Sequence, residues 1–353
     1  MAYTRADGTS TIVADVHAHT IPIGLVEAAR SSATWHGVET SMDERGRIHC
    51  EAEGRHSVLP WADPSATYEQ RIAVMDEHGV DAQVLSHSPL LYWYGLEAGA
   101  ARDMAQEIND TTADVVRRHP DRFHGFAYLP LQDPAAAVRE VHRAVKELGL
   151  AGIAVGTHVA GVDWDDRDLQ TVLEAAAELD ALVFLHPSGA RFPTNASPFH
   201  LRNVIGNPLE TTVAVASMIF SGLFDRVPTL RMALAHGGGY ACMGLGRFDH
   251  ASRVRKECEG LSQLPSEYAK GLYFDSLTHE GGSLRFLVDT VGLPNVLLGT
   301  DYPADMEQPD PVRWMSGLTE LTDDERSAVL GTNLMRLLGD KGAAFADGVN
   351  RRQ

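Results

Sequence analysis

Eight short apolar runs recur along this chain of 353 residues, each separated from the next by a helical pattern. They are Thr11–Val16, Ala82–Ser86, Phe123–Tyr128, Gly152–Val155, Leu182–His186, Arg231–Ala235, Leu272–Asp275 and Val296–Gly299. Between them, apolar residues return at helical spacing over Tyr68–His78, Ala98–Arg118, Pro134–Leu148, Asp168–Leu179, Pro208–Ser221, Ser266–Lys270 and Gly282–Val291. A last helix is predicted over Asp323–Leu338. Glycine or proline marks several of the ends, as at Gly79, Pro120 and Gly149. Strands alternating with helices build a parallel sheet. Eight such units point to an α/β fold, a (β/α)8 barrel, ahead of an open sheet.

One stretch breaks the alternation. From about residue 30 to residue 63 the chain carries glycine, charge and short β-like pieces, between the first strand and the first helix. It is expected to be a small inserted lid with a hairpin, lying over the barrel mouth, within a single domain spanning 1–353. The Ala- and Gly-rich tail at 340–353 is expected to be disordered.

The barrel matters because polar residues at the carboxyl ends of its strands converge on one mouth. His17 and His19 follow the first run, His186 ends the fifth, His236 follows the sixth and Asp301 the eighth. His17 and His19 are two apart, so a strand puts both on one face. A carboxylate ending a buried strand is costly unless it meets a cation. Three imidazoles and a carboxylate suit a borderline metal such as Zn2+, with Mn2+ as the alternative. The fourth run leads into Gly156-Thr157-His158 and offers no lysine to bridge two metals, so one metal per chain is expected. His17, His19, His186 and Asp301 are the expected ligands. His236 is left to act as acid or base near neutral pH. The three glycines after it would let the backbone approach a ligand. Asp275, ending the seventh run, is expected to orient His236 or a water. Tyr92-Trp93-Tyr94, His87 and His158 face the same mouth as secondary candidates, with ordinary packing the blander account of the aromatic trio.

Composition narrows the partners. A formal net charge of −18 argues against nucleic acid. Three irregularly spaced cysteines, Cys50, Cys242 and Cys258, form no disulfide framework or thiolate zinc site, which fits a reducing, cytoplasmic setting. No apolar run is long enough for a membrane span. His236-Gly-Gly-Gly239 lacks the spacing of a dinucleotide fingerprint.

Several motifs carry a resemblance. They are Asp15-Val-His-Ala-His19, Trp61-Ala-Asp-Pro64, the stretch from Arg71 to Val84, Tyr128-Leu-Pro-Leu-Gln-Asp-Pro134, His236-Gly-Gly-Gly239, Leu245-Gly-Arg-Phe-Asp249, Tyr273-Phe-Asp-Ser276 and Leu298-Gly-Thr-Asp-Tyr-Pro303. In this order, over nearly the whole chain, they resemble the amidohydrolase superfamily. Within it they resemble the branch of aminocarboxymuconate-semialdehyde, resorcylate and carboxyvanillate decarboxylases. The resemblance implies zinc on His17, His19, His186 and Asp301, with His236 governing water at the metal. It implies that Arg55 binds a substrate carboxylate and that Arg247 reaches in from the neighbouring subunit of a homodimer. A departure follows His186-Pro187. The muconate-semialdehyde branch carries Trp-Asp there and this chain carries Ser188-Gly189, which widens the site.

The expected function is a metal-dependent, non-oxidative decarboxylase of an unsaturated or aromatic small-molecule carboxylate. His236 and Asp301 would handle the proton, and Arg55 with Arg247 would hold carboxylates. The alternatives are a metal-dependent hydrolase or hydratase on the same barrel, and a binding barrel without catalysis.

Overall fold

The computed structural model describes residues 3, 4, 8, 10–59, 67–191, 198–343 and 345. The motif Trp61-Ala-Asp-Pro64 lies outside the described residues. Eight parallel strands run in chain order around one sheet: β1 (Ala14–Thr20), β2 (Ala82–His87), β3 (Phe123–Ala127), β4 (Gly152–Gly156), β5 (Leu182–His186), β6 (Arg231–Leu234), β7 (Tyr273–Asp275) and β8 (Val296–Leu297). Backbone bonds close the ring between the first and last strands. Val16 N–H donates to Leu298 O (2.9 Å), Asp301 N–H to His17 O (2.8 Å) and His19 N–H to Tyr302 O (2.7 Å). This is the expected (β/α)8 barrel. Helices α1 (Tyr68–Glu77), α2 (Ala98–Arg118), α3 (Pro134–His142), α4 (Arg167–Glu178), α5 (Asn207–Phe220), α6 (Ala241–Val254) and α7 (Gly281–Val291) follow the first seven strands. Their starts are chemically marked. Thr67 and Gln70 form a reciprocal capping box at α1, and Asp133 and Asp166 cap α3 and α4.

Apart from the partly exposed end residues Thr20, Arg231 and Tyr273, the strands are buried along their length, as a sheet covered on both faces requires. Val16, Val84, Phe126, Phe184, Ala233 and Leu297 belong to one apolar cluster inside the barrel, with Phe126 stacked on Phe184 at 5.5 Å. Gly152 opens β4 because a side chain there would collide with the Leu182 carbonyl.

The first strand differs from expectation. It does not end at Val16 but continues to Thr20, paired with His87 of β2. The register slips between Asp15 and Ala18, so Val16 and His17 together oppose a single residue of β2. Such a bulge re-aims side chains. Val16 joins the interior cluster, and the His17 ring also meets it, 5.0 Å from Phe184.

The insertion is an antiparallel four-stranded meander, not a hairpin: Thr34–Trp35, Val38–Met42, Ile48–Ala52 and Arg55–Val58. Alternation puts Val38, Ile48 and Cys50 on a buried face, against the helix Ile23–Arg30.

At the other end of the chain, the helix predicted over Asp323–Leu338 is present as α8 (Asp323–Ser327), a wider turn Ala328–Thr332, and α9 (Asn333–Leu338). The disordered tail is corrected in part. Asp340–Ala343 and Phe345 are helical, and Phe345 is fully buried in the barrel's interior cluster, 4.6 Å from the His124 ring. An aromatic side chain offered to an open apolar barrel end outweighs the low propensity of its Ala/Gly neighbours. Residues 346–353 lie outside the described residues. Helix α6 was not foreseen. Gly244 and Gly246 weaken its propensity, and Met243 and Val254 stand exposed on it, which blurs the apolar period.

Candidate metal centre

The bulged end of β1 sets the centre. His17 Nδ1 donates to Asp275 Oδ2 at 2.6 Å, which turns Nε2 inward. His19 Nδ1 is tied to Ser86 Oγ at 3.0 Å, so its Nε2 also faces inward, 3.1 Å from His17 Nε2. His186 Nδ1 donates to its neighbour's carbonyl, Pro187 O, at 2.8 Å, and its Nε2 is buried with no partner. Asp301 closes the ring, with Oδ1 at 2.9 Å from His19 Nε2 and 3.2 Å from His17 Nε2. Donor atoms of His17, His186, His236 and Asp301 all lie within 4.8 Å of one another. All five expected residues therefore meet.

The separation of His236 from the others is not visible in this geometry. Its ring lies 4.8 Å from His186 and its Nε2 is 3.5 Å from Asp301 Oδ2. Its donor atom falls in the same group, within 4.8 Å, as those of His17, His186 and Asp301. His236 and Asp301 both adopt left-handed backbone (φ 56° and 63°), uncommon for residues other than glycine, at the turns where the chain leaves its strand.

Electrostatics follow from burial. Desolvation pushes the Asp301 carboxyl up, but the charge on His17 and hydrogen bonds from the histidines outweigh it, so it sits well below the ordinary carboxylate range. Desolvation pulls His17 down, yet Asp301 and Asp275 lift it to about 10. Binding of a cation must displace that proton. Desolvation lowers His19 and His186, keeping them neutral as ligands must be. An inward-facing set of imidazole nitrogens around an ionised carboxylate, with His186 Nε2 orphaned, fits a divalent metal with nitrogen and oxygen ligands.

The layer behind the ligands was only partly legible in the sequence. Asp275 orients the His17 ring, and toward His236 it touches only the backbone N–H, at 2.9 Å. Its other oxygen accepts from Gly237 N (2.7 Å) and Leu277 N (3.1 Å). Asp15 accepts from His17 N, Thr300 N, Thr300 Oγ1 and Gln83 Nε2, and burial still lifts its carboxyl to about 6. Arg71 donates to His19 O (2.7 Å) and Gln83 Oε1 (2.8 Å) and stacks over Tyr302. Ser86, Gln83 and Thr300 were missed; their role comes only from strand pairing. The glycines after His236 serve packing: a side chain at Gly238 would strike Phe274, and one at Gly239 the Pro208 backbone.

A cavity of about 630 Å³ opens beside the centre, lined by His236, Asp301, Tyr240, Met243, Phe286 and Met306 among others. Arg55 of the insertion donates to Tyr92 O (3.2 Å) and lies over Trp93. Gly189 of the Ser188-Gly189 departure lies beside this side chain: a Cβ there would sit 3.5 Å from the guanidinium, an ordinary contact. His158 is occupied by the Gly189 carbonyl and the Gly161 N–H, and so holds loops together. Arg247 is exposed on α6, with no ion-pair partner among the described residues. Cys50, Cys242 and Cys258 are free thiols, and no helix among the described residues is long and apolar enough to cross a membrane.

Residues 14–339 match the model of the family described as amidohydrolase. The chain is 36% identical over 271 residues to 2-amino-3-carboxymuconate-6-semialdehyde decarboxylase of Dictyostelium discoideum, covering 76% of each chain. It is 36% identical over 260 residues to a gamma-resorcylate decarboxylase of Rhodococcus jostii, covering 66% of this chain and 76% of that one. The fold matches the crystal structure of 5-carboxyvanillate decarboxylase from Sphingomonas paucimobilis with a TM-score of 0.78 and 25% identity, over 93% of this chain and 99% of that one. These relatives are decarboxylases, and their named substrates are unsaturated or aromatic acids.

Proposed function

This chain belongs to the amidohydrolase family, and from that premise we propose that it is a metal-dependent, non-oxidative decarboxylase of an unsaturated or aromatic carboxylic acid. The observation that carries the reading is the meeting of His17, His186, His236 and Asp301 donors within 4.8 Å, with His19 Nε2 beside them. His17, His19, His186 and Asp301 hold one metal per chain, Zn2+ with Mn2+ as the alternative. A divalent metal supplies Lewis-acid stabilisation of charge developing beside the carbon that loses CO2.

The chain's own residues do the rest. His236 Nε2, 3.5 Å from Asp301, moves the proton that the carboxylated carbon gains. The electron pair of the breaking C–C bond then returns to the unsaturated system as CO2 departs. Arg55 pairs with a substrate carboxylate and turns the acid toward the metal. The insertion at 30–63 acts as the lid that excludes water. Arg247 stands exposed on α6, available to a second copy, and in this reading a homodimer has Arg247 of one copy serve the site of the other. The free thiols support a reducing, cytoplasmic setting.

The test is metal analysis of purified native protein and a His17→Ala variant, followed by CO2 measurement with carboxylated muconates and hydroxybenzoates. One metal per chain, lost in the variant, together with CO2 release is the expected result. Two metals per chain, or ring opening with no loss of carbon, would place the chain among hydrolases instead.

A further inference from the structure

A second set of imidazoles and carboxylates lies on the insertion, on strands that contribute no residue to the metal centre. The strand Ile48–Ala52 buries Ile48, Cys50 and Ala52, so alternation turns His49 and Glu51 to the outer face. Register sets Glu51 opposite His56 on one side and opposite Glu39 on the other, so these side chains share that face. Two glutamates directly opposite each other repel, and a cation held between Glu51 and His56 relieves that repulsion. The two histidines are already together. His49 Nδ1 lies 3.2 Å from His56 Nε2, with the rings 29° from parallel. The lone pair of His49 is fixed from behind. A hydrogen bond from the Arg47 backbone N–H, with others from the Arg47 and His49 side chains, holds the Asp43 carboxyl below the ordinary range, so it is an anion that only accepts. His49 Nε2 therefore donates to Asp43 Oδ2, at 3.2 Å, and the lone pair stands on Nδ1, toward His56. A carboxylate behind an imidazole is the usual support of a metal-ligating histidine.

We propose that His49 Nδ1 and His56 Nε2 form a second divalent-metal site, for a borderline ion such as Zn2+, with the Glu51 carboxylate as third ligand and water completing the shell. At a Zn–N length of about 2.0–2.1 Å, two nitrogens at the tetrahedral angle stand about 3.3 Å apart. The 3.2 Å between these two matches it. Without the ion, the two rings share a proton across that gap. His56 frees its Nε2 by carrying its hydrogen on Nδ1, so both lone pairs reach the ion with no change in charge on either ring. The ion is a clip. It joins the last two strands of the insertion across the Glu53-Gly54 turn. Arg55 stands beside His56 in the same strand, and its side chain leaves by the opposite face to reach Tyr92 O. An ion on the outer face therefore steadies the strand that presents Arg55. His56 is exposed and His49 only half-buried, so this ion exchanges with solvent and dialysis removes it, leaving the metal centre filled.

The probe is Zn2+ alone, titrated calorimetrically into native protein whose metal centre is already full, with metal per chain counted before and after dialysis. The expected result is one further Zn2+ per chain, lost on dialysis. His49→Ala and His56→Ala should each abolish it and keep the resident metal. Asp43→Asn should weaken it about 10- to 100-fold. Glu51→Gln, an exposed and nearly isosteric change, should also weaken it, and serves if a histidine variant does not fold. His17→Ala separates the two sites, since it should empty the metal centre and leave this ion bound as before. Native protein that takes up no further Zn2+, or a further Zn2+ that survives either histidine variant, overturns the inference and leaves the decarboxylase reading untouched.

Discussion

Replacing Asp275 by asparagine tests whether the metal centre is built from behind. The carboxylate is fully buried and accepts four bonds, from His17 Nδ1 and His236 N on one oxygen and from Gly237 N and Leu277 N on the other. Burial pushes its pKa up, but the His17 hydrogen bond and charge outweigh this and hold it below the usual value. An asparagine has one oxygen, so either orientation sets an NH2 group against two donors. If the NH2 faces His17, the imidazole must move its proton to Nε2, the atom that would bind metal. If it faces the loop, two backbone N–H groups are stranded at about 1–3 kcal/mol each. The expected result is metal affinity weakened about 10- to 100-fold, or about 1.4–2.7 kcal/mol, with stability lowered by about 2 kcal/mol or more. Zn2+ affinity measured by chelator competition, with urea denaturation and far-ultraviolet circular dichroism alongside, provides the assay. A folded variant that keeps native affinity to within about threefold would refute the argument that Asp275 sets the His17 tautomer.

Two other predictions concern the closed end of the barrel. Phe345→Ala removes a fully buried ring from the interior cluster and should cost about 3–5 kcal/mol in urea denaturation; a loss below about 1 kcal/mol would mean that the terminal segment does not plug the barrel. His124 donates to Lys341 O at 3.0 Å, yet burial lowers its pKa below the ordinary 6.5. Above pH 6.5 the ring is neutral folded or unfolded and contributes no pH dependence. As pH falls below 6.5 the unfolded chain takes up the proton first, so stability drops toward the folded-state pKa. The stability difference between pH 7.5 and pH 5.5 should therefore shrink in His124→Gln, and an unchanged difference would show that this histidine does not titrate against folding.

Much of the barrel could be read locally. Apolar runs at Leu182–His186 and Arg231–Leu234, the capped start of α4 and the long α2 each depend on neighbours a few residues away, which is the range over which strand and helix periodicity operate. The residues of the centre were legible for the same reason: His17, His186, His236 and Asp301 stand where an apolar run gives out. What folding alone decided involves partners distant in sequence. The bulge that brings His17 beside Val16 arises from register against β2. The tautomer of His17 depends on Asp275, 258 residues away. The gathering of His236 with His17, His186 and Asp301 depends on how four strand ends converge, and the docking of Phe345 on an opening that exists only once eight strands have closed. A sequence specifies which side chains reach the mouth of a barrel, because that follows from alternation along a strand. Which of them meet, and in what protonation state, is set by distances between strands, and those exist only in the assembled structure.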